Sequence, residues 1–188
     1  ALDAATGAAT SCNPRMTGSP AIVNALAVEV PNVIPDPIRV YAGGYFSTVG
    51  GQLRNHLASI DATTGAVTSW NPNANGQVRS VRLRINLATG VIQSVFVGGN
   101  FTPIGGQARN RIAELTSTGA ANAWNPSANS DVHALWRSGN TIYAGGSFTN
   151  IGGQNRNRIA AIDGTTGAAT AWDPSASSAV NALWVSGS

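Results

Sequence analysis

Three stretches of this chain carry the same landmark residues in the same order. Each begins with an aromatic residue, Ala or Val, a Gly-Gly pair, a variable residue and Phe, as in Tyr41-Ala-Gly-Gly-Tyr-Phe46. A second Gly-Gly pair, an Arg-Asn pair, a Thr-Gly pair and a Trp-Asn-Pro or Trp-Asp-Pro triplet follow at nearly constant spacing. This repetition predicts a protein assembled from copies of one small supersecondary unit. The landmarks are Gly43, Gly44, Gly98, Gly99, Gly145 and Gly146, then Arg54, Arg109 and Arg156, then Trp70, Trp124 and Trp172.

One segment of the repeat varies in length, and it lies before the first Gly-Gly pair. The additional residues fall in Glu29–Pro37, which is rich in Pro, and around Asn86–Gly90. Because insertions are tolerated at loop tips and not inside packed strands, we interpret this segment as the tip of a hairpin.

Within each repeat the residue pattern predicts four short strands. In the third repeat, Ser138-Gly-Asn140 and Asp163-Gly-Thr-Thr-Gly167 supply turns, since Asp bonds its own backbone and Gly adopts positive φ. A helical solenoid is excluded because Gly-Gly pairs interrupt the apolar runs. We therefore predict an all-β fold, a β-propeller segment of four-stranded antiparallel blades. The predicted strands of the third repeat are Val132–Trp136, Thr141–Phe148, Arg158–Ile162 and Ala168–Trp172.

The phase of the repeats divides the single propeller segment 1–188 into blades and part-blades. Residues 1–20 form the end of a blade, 21–75, 76–129 and 130–177 form complete blades, and 178–188 supply the first strand of a further blade. A closed propeller needs about four to eight blades, so this chain alone leaves strand edges exposed. We expect either continuation in a longer chain or self-association.

The motifs Gly-Gly-x-Phe, Gly-Gly-Gln-x-Arg-Asn, Thr-Gly and Trp-Asn-Pro resemble those of the delta-60 repeat family, β-propeller arrays of bacterial and fungal surface-associated proteins. Two positions depart from the pattern: Cys12 replaces the first Trp, and Leu115-Thr-Ser-Thr-Gly119 lacks the turn Asp. The resemblance implies a propeller scaffold at the cell surface or outside the cell. It supplies no catalytic residue.

The charge and cysteine content argue against several classes of function. Charged residues make up 10% of the chain and the formal net charge is +3, without the dense basic stripe of a nucleic-acid-binding protein. Cys12 has no second cysteine to pair with, and His56 and His133 lie in no ligand pattern. No apolar stretch is long enough for a membrane helix. Since the Gly-Gly pairs lie in predicted strands, no phosphate loop is indicated, and we expect no nucleic acid, membrane insertion, metal or cofactor.

Residues repeated in every unit are expected to hold the fold together. The landmark tryptophans are predicted to pack in the core or between blades, where a Trp buries roughly 150–250 Å². The landmark arginines are predicted to bind loop carbonyls or a turn Asp such as Asp61 or Asp163. The alternative for these arginines is a site for anions or acidic sugars.

Residues that differ between repeats are the candidates for binding. The position four residues after a recurring Val is occupied by Ala27, Arg82, Trp136 or Trp184, and His133 lies close by in the third repeat. We predict that Trp136 and Trp184 form an aromatic platform for a sugar ring or a protein partner, with Arg82 and His133 beside it. The alternative is that these tryptophans cap a strand end against an adjoining blade.

Three classes of function compete for this chain. We predict a non-enzymatic scaffold for protein or glycan recognition, and the first alternative is a structural subunit that assembles through open blade edges. The second alternative is a quinoprotein-like enzyme fragment, because Ile60–Trp70 resembles the docking motif of quinoprotein dehydrogenase propellers. Its Gly-to-Trp spacing is one residue longer, which moves a strand side chain to the opposite face. The sequence offers no coherent catalytic set.

Overall fold

The computed structural model describes residues 5–10, 12–29, 38–86, 88 and 90–186. Within these ranges the chain forms strands and turns without a helix, so the all-β prediction is confirmed, and no helix there is long and apolar enough to cross a membrane. The strands are β1 (Met16–Thr17), β2 (Ile22–Glu29), β3 (Arg39–Tyr45), β4 (Thr48–Val49), β5 (Gln52–Leu53), β6 (Leu57–Asp61), β7 (Val78–Ile85), β8 (Ile92–Gly99), β9 (Pro103–Ile104), β10 (Gln107–Ala108), β11 (Ile112–Leu115), β12 (Val132–Ser138), β13 (Thr141–Gly146), β14 (Asn150–Ile151), β15 (Gln154–Asn155) and β16 (Ile159–Asp163).

Three antiparallel sheets of three longer strands each repeat one arrangement along the chain, and β1, β4 and β5 form a separate small sheet. Their strand orders are β2-β3-β6, β7-β8-β11 and β12-β13-β16, so each sheet is built from consecutive long strands. The first strands of the sheets are neighbours, because β2 contacts β7 and β7 contacts β12. We call β2, β7 and β12 the inner strands.

The predicted fourth strand does not form in any of the three sheets. The segment after each third strand touches it through one isolated bridge, which joins Ile60 to Val67, Leu115 to Ala121, or Ile162 to Ala169. In the first sheet, the Thr68 carbonyl that would accept the next ladder bond is bound by the Arg54 guanidinium. The Thr68 N–H still donates to the Ser59 carbonyl, so the segment pairs with β6 only locally. Each sheet therefore has three strands and a bridged segment, and the four-stranded blade is not confirmed.

Each second Gly-Gly pair forms the turn of a two-residue hairpin. Gly50 and Gly51 connect β4 to β5, and their φ values are +56° and +77°. A turn with positive φ at both central residues favours Gly at both positions. The expectation that the Gly-Gly pairs lie in strands is therefore wrong for the second pair. The same turn joins β9 to β10 and β14 to β15.

The first Gly-Gly pair of each repeat lies at the end of a second strand, where the next inner strand comes close. A Cβ built on Gly98 would lie 2.7 Å from Cγ1 of Val132, so only Gly leaves room for this valine. A Cβ added to Gly43 would lie 2.6 Å from Cγ1 of Val78, and one added to Gly145 would lie 2.7 Å from Cγ1 of Val180. Successive units therefore pack on one another through equivalent residues.

The landmark tryptophans pack beside the second strands. Trp124 is 3% exposed, contacts Phe96 edge-on at 5.1 Å, and donates from Nε1 to the Asp163 carbonyl of the next unit at 2.9 Å. Trp172 keeps the matching contact with Tyr143 at 5.4 Å but is 43% exposed, because no sheet of the described chain covers it. The packing role predicted for these tryptophans is thus complete only where another sheet follows.

Some predicted features fall partly outside the described residues. The first predicted hairpin tip, Glu29–Pro37, lies there except for Glu29, and so do residues 1–4, 11 and 187–188 of the outer part-blades. The second predicted tip is a turn between β7 and β8, closed by a 2.9 Å bond from the Asn86 amide to the Val91 carbonyl.

Candidate functional site at the inner strands

The landmark arginines bind backbone in the loops. Nη2 of Arg54 donates to the Thr68 carbonyl at 2.6 Å, and Nη2 of Arg156 donates to the Thr170 carbonyl at 2.7 Å. Arg109 makes the same bond to the Asn122 carbonyl. These contacts use the guanidinium to fix the bridged segments rather than to present it to a ligand.

The turn aspartates serve their own loops instead of the landmark arginines. Asp163 accepts hydrogen bonds from the backbone N–H groups of Thr165 and Thr166 and from the Thr166 hydroxyl. These bonds hold the pKa of the Asp163 carboxyl below its usual value, led by the Thr166 amide. Asp61 is bound in the same way by its own loop. Of the two kinds of partner predicted for the landmark arginines, the structure shows the loop carbonyls and not Asp61 or Asp163.

Three of the four predicted binding residues form a row across β7, β12 and the segment at 181–185. The Cζ atom of Arg82 lies 5.2 Å from the Trp136 ring centroid, within cation–π range. The Trp136 and Trp184 centroids are 4.4 Å apart, and Trp184 is 78% exposed. We call Arg82, Trp136 and Trp184 the axial row. In this row the Trp184 ring is exposed to solvent and packs on Trp136, which in turn contacts the Arg82 guanidinium.

A cavity of about 300 Å³ lies beside the axial row. Four equivalent segments line it, three from the inner strands and the fourth at 181–183, and Arg82 belongs to both the cavity and the row. We call it the axial cavity. Its polar lining residues directly after each recurring Val are Asn24, Arg79, His133 and Asn181.

The two arginines that line the axial cavity differ in their partners, because only Arg79 has a carboxylate close by. Arg79 lies 3.6 Å from Asp131, and His133 is hydrogen-bonded to the Ser147 hydroxyl at 2.9 Å. Arg82 has no carboxylate within ion-pair distance in the described ranges, and it donates from Nη1 to the Val81 carbonyl at 2.9 Å. Burial lowers the pKa of Arg82. Burial and then Arg79 lower the pKa of His133, which Asp131 partly opposes.

The structure thus brings Arg82, His133, Trp136 and Trp184 to one surface of the inner strands. Asn24 and Asn181 share that surface and were not predicted. Aligning the repeats on the recurring Val places them with His133, so the signal was present. His133 at the same position was predicted, but an amide side chain alone gave no reason to add Asn24 and Asn181 to it.

A second cavity, of about 320 Å³, is lined by Tyr41, Ser59 and Trp70. The Tyr41 hydroxyl lies 3.5 Å from Oε2 of Glu29, to which it donates. Burial and the carboxylate of Glu29 raise the pKa of Tyr41 to about 12. The folded chain therefore favours the neutral phenol.

We expect the free energy of unfolding to fall as pH rises from about 10 towards 12, since Tyr41 ionises near pH 10 only when the chain is unfolded. Below pH 10 the neutral Tyr41 phenol makes its full contribution to the free energy of unfolding. We expect a loss of roughly 2–3 kcal/mol, the free energy that corresponds to a pKa raised from 10 to about 12. Urea denaturation at alkaline pH compares the unmodified chain with Tyr41→Phe. Equal alkaline losses in both proteins contradict the assignment.

Comparisons with known proteins bear on the fold. Residues 94–123 and 140–160 match the family described as "Domain of unknown function (DUF5122) beta-propeller". The match supports a β-propeller fold. The propeller fold predicted from the sequence repeats agrees with this family description. Both matched segments contain the second-strand Gly-Gly-x-Phe motif, the element on which the next inner strand packs.

A solved structure is also similar to this β-propeller chain. The computationally designed Ika4 protein shares 17% sequence identity and a TM-score of 0.54, over 92% of this chain and 85% of that chain. No curated protein matches the sequence. In the described residues, no group of three or more His, Cys, Asp or Glu side chains is placed to hold a metal ion.

Proposed function

We propose that this chain is a non-enzymatic β-propeller scaffold that recognises a protein or glycan partner through its inner strands. The axial row is the observation that supports this most. Side chains that differ between repeats meet there, whereas the repeated Trp and Arg residues are engaged in packing and loop bonds. Trp and Arg contribute strongly to binding at interfaces, and Trp rings stack on apolar surfaces of ligands.

We also propose that the chain is a delta-60 repeat protein that acts at the cell surface or outside the cell. The quoted motifs support the family name, and the low charge content with a single cysteine is compatible with that location. Secretion of the tagged full-length protein by its natural host, followed by fractionation, tests the location. Recovery only from the cytoplasm contradicts it.

The binding proposal is tested by replacing both Trp136 and Trp184 with Ala. We expect affinity for a ligand found on a glycan array, or for a purified partner protein, to fall at least tenfold, roughly the loss at an interface hot spot. Tyr45→Ala is the matched control, because Tyr45 is an aromatic residue 42% exposed outside the axial row. Binding that survives the double replacement removes the axial row from consideration.

A second candidate function is structural assembly through uncovered sheet faces. Val23, Leu26 and Val28 of β2 are 44%, 59% and 50% exposed and border an apolar cavity of about 590 Å³. Trp172 is exposed at the far side of the third sheet. Since successive sheets within the chain pack through equivalent contacts, we propose that these two faces associate between two copies.

Leu26→Arg is expected to convert such assemblies into monomers, because a buried unpaired guanidinium is costly. Gel filtration with light scattering over a range of protein concentrations measures the change. Leu53→Arg is the control, since Leu53 is 64% exposed on the β4–β5 hairpin, outside either face. A monomer at every concentration of the unmodified chain contradicts assembly between copies.

The quinoprotein-like alternative remains a separate hypothesis with its own test. Reconstitution with a quinone cofactor and a visible spectrum would detect a bound chromophore. A stoichiometric chromophore replaces the non-enzymatic proposal with the enzymatic one, and a spectrum of free quinone alone supports the scaffold.

A further inference from the structure

We infer that the axial cavity binds the carboxylate of an acidic sugar, with a hexuronic acid as the smallest form. The inference rests on the proposed function and deepens it, because it gives a ligand class to the same inner-strand surface. Three observations carry it: an arginine with unused donors, a ring of polar side chains, and an exposed indole beside them.

The Arg82 guanidinium has fewer hydrogen-bond and ion-pair partners than the landmark arginines and Arg84. The landmark arginines use Nη1 and Nη2 on backbone carbonyls, as Arg156 does on Asn155 and Thr170. Arg84, two positions further along β7, lies 2.9 Å from the carboxylate of Glu114. Arg82 bonds only the Val81 carbonyl, through Nη1. Its buried Nε has no acceptor in the described residues, a property it shares with the landmark arginines, so the difference lies in the terminal donors and the missing carboxylate. A guanidinium carries five N–H donors in a planar fork, and a carboxylate is the group that matches it in two-bond geometry.

The charges around the axial cavity favour an anion. Arg79 and Arg82 line it, and Arg111 lies at the edge of the same cluster, 4.0 Å from Asp131. Asp131 is the one carboxylate in ion-pair contact with this group in the described chain, and Arg79 and Arg111 share it. An incoming carboxylate next to Arg82 therefore meets cations that a single acidic side chain balances incompletely.

The other residues of the axial cavity and the exposed Trp184 can bind the hydroxyl groups and the pyranose ring of a sugar. Asn24 and Asn181 can each donate and accept, as a sugar hydroxyl requires, and His133 adds a ring nitrogen. At about 300 Å³ the cavity lies at the lower end of small-molecule sites, roughly 300–1,000 Å³, and is large for a bare ion. Trp184 offers an exposed ring beside Trp136, the residue that contacts Arg82, and a pyranose can stack on an indole face. This ring also lines a neighbouring cavity with Tyr143 and Trp172.

Calorimetry or NMR titration of the full chain with glucuronic acid, its methyl ester, glucose and acetate tests the inference. We expect glucuronate to bind at least tenfold more tightly than the ester or glucose, roughly the value of a charge-assisted hydrogen bond. Arg82→Gln is expected to abolish that preference. Arg39→Gln removes the same charge outside the cavity and is expected to keep it. Asn181→Ala, at an exposed position, is a second variant that we expect to weaken glucuronate binding several-fold.

The other possible outcomes separate the hexuronic acid inference from the proposed recognition function. Equal affinity for glucuronate and its ester overturns the carboxylate inference but leaves glycan recognition intact. Acetate binding as tight as glucuronate overturns the sugar assignment. Binding of an acidic peptide, without binding of glucuronate, overturns the inference in favour of a protein partner. Failure of every probe also overturns it, while the double Trp replacement still tests the axial row separately.

Discussion

Trp124→Ala is expected to lower the free energy of unfolding by about 3–5 kcal/mol, the usual cost of truncating a buried large aromatic side chain. Trp124 is 3% exposed and lies in a cluster that includes Phe96, Leu135 and Ile142. The replacement removes the edge-on contact with Phe96 and the hydrogen bond to the Asp163 carbonyl. Urea denaturation followed by fluorescence or circular dichroism measures the change.

The chain contains its own control for this prediction. Trp172 occupies the equivalent position and keeps the equivalent ring contact with Tyr143, but it is 43% exposed. We expect Trp172→Ala to cost less than about 2 kcal/mol, because less area returns to water. Equal losses for the two variants show that burial between successive sheets is not the source of the stability.

Gly99→Ala is expected to cost about 3 kcal/mol or to prevent folding, because overpacking against backbone cannot be relieved by a rotamer change. A Cβ at this position would lie 2.1 Å from the Gln77 carbonyl oxygen. A Cβ added to Gly44 or Gly146 would collide in the same way with the Ile22 or Asp131 carbonyl oxygen, so the constraint repeats in each sheet. Expression level, circular dichroism and denaturation midpoints report the effect.

Gly106→Ala separates a steric clash from backbone strain. Gly106 has a φ of +77° and no atom within 4 Å of a Cβ placed there. We expect a loss of about 1–2 kcal/mol from the left-handed conformation alone. A Gly99→Ala protein as stable as Gly106→Ala contradicts the close approach at the end of β8.

The sequence was enough to predict that the repeats are structurally equivalent, because this equivalence depends on residue size at a few positions. The recurring Val and the first Gly of each pair fit only each other, and the structure joins Gly98 to Val132 in that way. The fourth strand could not be excluded from the sequence. The Arg54 guanidinium binds the Thr68 carbonyl in this segment, a contact between residues far apart in sequence that leaves no local pattern.

The candidate site was only partly predictable for a related reason. Alignment of the repeats on the recurring Val is enough to group Arg82 with Trp136 and Trp184. The difference between Arg82 and Arg84 was not visible, since both are arginines of one strand. Only the fold brings Glu114 to Arg84 and leaves Arg82 without a carboxylate in the described chain.

The identical Gly–Val contact at successive junctions makes the propeller modular. An additional copy of residues 76–129, placed after residue 129, would meet the same partners on both sides and need no redesign of either junction. Each added unit would place one more inner strand beside β7. Gene duplication would then set how many inner strands the binding surface contains, so copy number would change that surface independently of any point substitution.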